Sequence, residues 1–89
     1  MKYFETNEPY YALVKAKSLS AAIEEYENVI ADDEEGVLKE EMHEVEKDYA
    51  LASFSQTPSE DGELIPIKNI LEMFNDDNIK ILIVDGSLL

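Results

Sequence analysis

Eighty-nine residues are enough for one domain with a modest core, and a hydrophobic fraction of 45% argues for a folded chain. The chain has no cysteine, which excludes disulfides and thiolate metal sites and leaves packing to hold the fold. Twenty-one acidic against seven basic side chains give a net charge of −14, a field that repels nucleic acid and anionic membranes and attracts basic surfaces.

Lys2–Thr6 reads as a short strand before the turn Asn7-Glu8-Pro9, or as an extension of the strand that follows. That next strand covers Tyr10-Tyr11-Ala12-Leu13-Val14-Lys15-Ala16, an aromatic and aliphatic run ending at polar Lys17-Ser18. Ser18 offers an N-cap hydroxyl to a helix over 21–31. Leu19, Ala22, Ile23, Tyr26 and Ile30 are spaced 3, 1, 3 and 4 apart, one face of an amphipathic helix, with Glu24, Glu25 and Glu27 turned to water. The helix is expected to end near Asp32, with Gly36 as a stop.

Residues 37–47 are ambiguous. Leu38, Met42 and Val45 fit helical spacing, and the same residues also fit an approach to a strand. The favoured reading is a short helical or irregular segment, then a strand from about Glu44 to Ser55 centred on Tyr49-Ala50-Leu51-Ala52-Ser53-Phe54. Gln56–Glu63 is a polar loop carrying the turn signature Asp61-Gly62. A helix is expected from Pro66 to Phe74, with Ile67, Ile70, Leu71 and Phe74 as its core stripe. Ile79–Val84 is the strongest strand, followed by an Asp85-Gly86 turn and a Ser87-Leu88-Leu89 tail.

The order β-α-β-α-β predicts a single α/β (α+β) domain over 1–89. A three- to four-stranded sheet carries two amphipathic helices, joined by right-handed crossovers. No apolar run reaches signal-peptide or membrane-span length, so the expected location is the cytoplasm.

No catalytic constellation emerges. His43 is the single histidine, set among Glu41-Met42-His43-Glu44 with no nucleophile nearby, and it reads as an exposed residue. Gly36, Gly62 and Gly86 are isolated in turns and form no phosphate-cradling loop. Asp32-Asp33-Glu34-Glu35 and Asp76-Asp77-Asn78 are rich in oxygen but lack the alternation and distal glutamate of a calcium loop. Glu24-x-x-Glu27 and Glu41-x-x-Glu44 resemble half of the Mg²⁺ motif of MazG-type pyrophosphohydrolases. The downstream Glu-x-x-Asp is missing, since Val45 stands three before Asp48, and the strand-rich remainder departs from that all-helical fold. The reading is therefore of a non-enzyme without metal or cofactor.

The acids themselves are clustered. Twelve fall between Glu24 and Asp48, with only Lys39 and Lys47 among them, a net −10 in twenty-five residues. Such a strip is either a solvated face or a surface for a basic partner, with fast, steered and salt-sensitive association. The candidate contacts are Glu24, Glu25, Glu27, Asp32, Asp33, Glu34, Glu35, Glu40, Glu41 and Glu44.

The opening Met1-Lys2-Tyr3-Phe4, with Asn7-Glu8-Pro9-Tyr10-Tyr11-Ala12-Leu13, and the ending Ile83-Val84-Asp85-Gly86-Ser87-Leu88-Leu89 resemble small uncharacterised proteins of phages and prophages of Gram-positive bacteria. That resemblance implies an inhibitor of a host nucleic-acid-binding protein, in the manner of anti-CRISPR and DNA-mimic proteins. No functional residue carries over, because that group has no shared site. The expected partner is a basic nucleic-acid-binding protein, with no direct contact to nucleic acid or membrane. The alternative is a phage structural or assembly module that forms a homodimer or larger homo-oligomer through a sheet edge or the Leu88-Leu89 tail.

Overall fold

A computed structural model describes residues 1–59, 62–85 and 87–88. The chain opens with two paired strands, β1 (Lys2–Thr6) and β2 (Ala12–Ala16), in the register Phe4↔Val14 and Glu5↔Leu13. Every residue of β2 is buried and so are four of the five in β1, so both faces of these central strands are covered. The connecting turn contains a cis Glu8–Pro9 bond. It is tied down by the buried Tyr26 hydroxyl, which donates to the Tyr10 carbonyl (3.1 Å) and accepts from the Tyr10 N–H (2.9 Å).

Helix α1 (Leu19–Val29) starts at Ser18, whose side chain accepts from the Ala21 N–H, and buries Ala22 and Tyr26. Then come the one-turn helix α2 (Leu38–Glu41), the edge strand β3 (His43–Val45), α3 (Lys47–Gln56) and α4 (Ile67–Asn75). The chain returns to the sheet as β4 (Lys80–Val84) and the two-residue β5 (Ser87–Leu88). The sheet order is β3-β1-β2-β4-β5, and every pairing is antiparallel.

This is an α+β fold in three layers. Strand alternation sends Phe4, Val14 and Ile81 to one face, where they pack with Ala22 and Tyr26 of α1, Leu38 of α2 and Met42 just after it. Tyr3, Leu13, Leu82 and Ile83 pack on the other face with Ala50 and Phe54 of α3 and Ile70 and Phe74 of α4. Leu82 and Ile83 join the same core because the β2–β4 register shifts at Leu13/Val14, leaving Leu82 between the pairs Leu13↔Ile83 and Val14↔Ile81. Tyr3 stacks on Phe74 (5.2 Å between centroids) and Phe54 meets Phe74 edge-on (5.5 Å).

Several expectations need correction. The strand expected over 44–55 is the three-residue β3 followed by helix α3, because Ala50, Leu51 and Phe54 face the core at helical spacing. Among the described residues the sheet therefore carries four helices, paired on both faces, in place of two. The order is β-β-α-α-β-α-α-β-β, not a simple alternation. The short strand at Lys2–Thr6 is present. The first helix ends at Val29, earlier than expected, and Gly36 sits in the following turn with φ +70°. Tyr10 and Tyr11 lie before β2, and α4 begins at Ile67 with Pro66 as its N-cap. The expectations for Asp61, Gly86 and Leu89, and for the Leu88 side chain, fall outside what the structure describes.

Candidate functional site: the acidic layer

Packing of the α1 stripe onto the sheet decides where its acids go. With Ala22 and Tyr26 buried and Leu19, Ile23 and Ile30 half-buried, Glu24 and Glu27 are exposed, while Glu25 is partly covered. Asp32, Glu34 and Glu35 are exposed in the loop after α1, beside Pro9 and Val37. Glu40 and Glu41 are exposed on the one-turn helix α2. Glu44 lies opposite Phe4 in the β1–β3 register and so points to the same face of the sheet as α1 and α2. The ten candidate residues thus fall on one layer and its adjoining edge.

Asp33 has a different task. Its carboxylate accepts from the Val37 N–H (2.9 Å) and the Leu38 N–H (3.1 Å), closing the N-terminus of α2. It holds the layer together, and both of its oxygens are engaged inside the chain. None of the ten carboxylates forms an ion pair with a described lysine; among the described residues the ion pair formed is Lys15–Asp76, on the opposite layer. Lys39 lines a groove with Leu19, Ser20, Ile23, Glu24 and Glu27, yet it pairs with neither glutamate. An aliphatic floor beside two carboxylates suits the stem and head of an incoming lysine or arginine.

Two buried charged residues escaped the sequence reading. Lys15, fully buried in β2, reaches the C-terminal end of α4. Its Nζ donates to the Met73 carbonyl, to the Asp76 carbonyl (3.2 Å) and to Asp76 Oδ1 (2.6 Å). An ammonium there meets the free carbonyls and the negative end of the helix dipole. The hydrogen bond from Lys15, with a second from the Asn78 N–H, holds the Asp76 carboxyl below the ordinary value of 3.8.

Glu5, 8% exposed in β1, accepts from the Tyr11 hydroxyl (2.7 Å) and from the Tyr49 hydroxyl (2.8 and 3.1 Å). Burial first, then the bond to Glu5, pushes the Tyr11 phenol up; for Tyr49 the bond to Glu5 is the larger cause. Exposed His43 is opposite Glu5 in the register. These contacts clamp α3 and the start of β2 to the sheet. Tyr49 lies 44 residues from Glu5 and Tyr11 only six, across the β1–β2 hairpin, and no local spacing announces either contact. Among the described residues, no group of three or more His, Asp or Glu is placed to hold a metal ion. No helix among them is long and apolar enough to cross a membrane.

A family model described as the YosH C-terminal domain matches residues 1–83. The chain is 46% identical over 89 residues to an SPbeta prophage-derived uncharacterized protein, YosH, of Bacillus subtilis (strain 168). The match covers all of this chain and 57% of that relative. No solved structure matches.

Proposed function

The chain belongs to the YosH C-terminal domain family, and on that premise we propose that it is a phage-type acidic protein that binds and inhibits or regulates a basic nucleic-acid-binding host protein. It acts by occupancy, without catalysis. The observation that carries this reading is the gathering of Glu24, Glu25, Glu27, Asp32, Glu34, Glu35, Glu40, Glu41 and Glu44 on one layer and its edge, none paired with a described lysine. Scattered acids would serve solubility alone. A one-sided strip presents a directional field to a groove lined by lysine and arginine. The prophage origin of the B. subtilis relative supports a host protein as the target.

The test is capture from a B. subtilis lysate on the immobilised 89-residue chain at low salt, followed by elution with duplex DNA. The expected result is a basic protein that duplex DNA releases, because the two ligands compete for one surface. Captured proteins that excess duplex leaves in place would contradict the reading.

A further inference from the structure

On the layer opposite the acids, α4 leaves a second face uncovered. Ile70 and Phe74 are buried, yet Ile67 is 74% exposed and Leu71 45% exposed, one turn apart on the outer side. With Lys68, Glu72, Asn75 and Asp76 they line one shallow groove. Neither Lys68 nor Glu72 forms an ion pair with a described residue, although they stand at i and i+4 on the same helix. Lysine on the N-terminal side of glutamate is the weaker order for pairing within a helix, so both charges remain available.

We propose that this face binds a second copy of the chain, α4 against α4 in antiparallel orientation about a two-fold axis. A two-fold contact must be self-complementary, and the α4 sequence meets that condition. An axis running beside the helix level with Asn69–Ile70 brings Ile67 to within one residue's rise, about 1.5 Å, of Leu71 of the second copy, and Lys68 equally close to Glu72 of the second copy, with each pair made twice. The apolar pairs leave water at the centre, and opposite charges flank them.

The distribution of charge allows the approach. The acidic strip lies beyond the sheet, on the α1 and α2 layer, so two copies joined by α4 hold their strips on the far sides of the pair. The Debye length at physiological salt is about 8 Å, whereas each molecule measures 37 × 25 × 19 Å. This inference is independent of the acidic-layer proposal and uses none of its residues.

Sedimentation equilibrium of the 89-residue chain across the micromolar range tests it, with circular dichroism confirming that each variant is folded. The chain is expected to dimerise. Leu71→Glu is expected to abolish the dimer. Lys68→Glu or Glu72→Lys alone, each bringing like charges together, should weaken it by roughly tenfold or more. The double variant Lys68→Glu/Glu72→Lys should restore it, because the swapped charges again meet their opposites. A monomer at all concentrations overturns the proposal, as does a dimer indifferent to these substitutions or a double variant as weak as the singles. A monomer whose capture of a lysate protein depends on Ile67 and Leu71 also overturns it, and assigns the face to a different partner.

Discussion

Lys15 and Glu5 show how single side chains fix the helices of the α3 and α4 layer. Lys15 is fully buried, and its ammonium satisfies carbonyls at the end of α4 that no backbone N–H reaches. Lys15→Met fills similar volume without the donors, and should cost about 1–3 kcal/mol in urea denaturation, the range for leaving buried polar groups unpaired. The pH dependence follows from the same contacts. The Asp76 carboxyl is held below 3.8, so its contribution is present above that pH and is lost as pH falls through the lower folded value. Tyr11 and Tyr49 are raised above 10, so theirs is complete below pH 10 and is lost as pH rises beyond it. Thermal melts should therefore show an acid limb that Lys15→Met flattens and an alkaline limb that Tyr11→Phe flattens. Unchanged limbs in both variants would contradict these roles. None of this was legible from spacing, because the partners of Lys15 and Glu5 lie up to 61 residues away and depend on the finished fold.

At the scale of elements, α1 and α4 were legible because their apolar residues recur at 3 and 4 over two turns or more, with Ser18 and Pro66 marking their starts, but of the core stripe expected for α4 only Ile70 and Phe74 are buried, while Ile67 and Leu71 are exposed. β4 was legible as a near-continuous aliphatic run, interrupted at Lys80. α3 was not. Ala50 and Ala52 count as apolar on either face, so Val45 to Phe54 imitates alternation, although only Ala50 and Phe54 are fully buried. The absence of glycine and proline over ten residues, and the helix-forming tendency of alanine, were the signals that favoured a helix. α2 is a single turn, too short to stand without help. Asp33 supplies that help through the Val37 and Leu38 N–H groups. Asp33→Ala should cost about 0.5–2 kcal/mol and raise amide exchange at Val37 and Leu38 in particular. Equal protection in the variant would show that the cap is dispensable.

Across the whole molecule, the two helix pairs enclose an antiparallel sheet and divide its surface by chemistry. The α1 and α2 layer is acidic, and the α4 side carries an exposed apolar groove. The clustering of acids between residues 24 and 48 was plain in the sequence, and α1 periodicity was enough to turn Glu24 and Glu27 outward. The placement of Glu40, Glu41 and Glu44 on the same layer was not, because it depends on β3 pairing beside β1 rather than at the opposite edge. The sequence also hid the division between layers, since alternation of strands and helices suits a sheet covered on one face or on both.

The most direct test is affinity for the DNA-displaced host protein, measured for the chain and for a variant carrying Glu24→Lys, Glu27→Lys, Glu40→Lys and Glu44→Lys. All four positions are exposed, so the variant should fold. Its affinity at low salt should fall by roughly a hundredfold or more, since like charges would then face each other across the contact. Equal affinity in a folded variant would contradict the account.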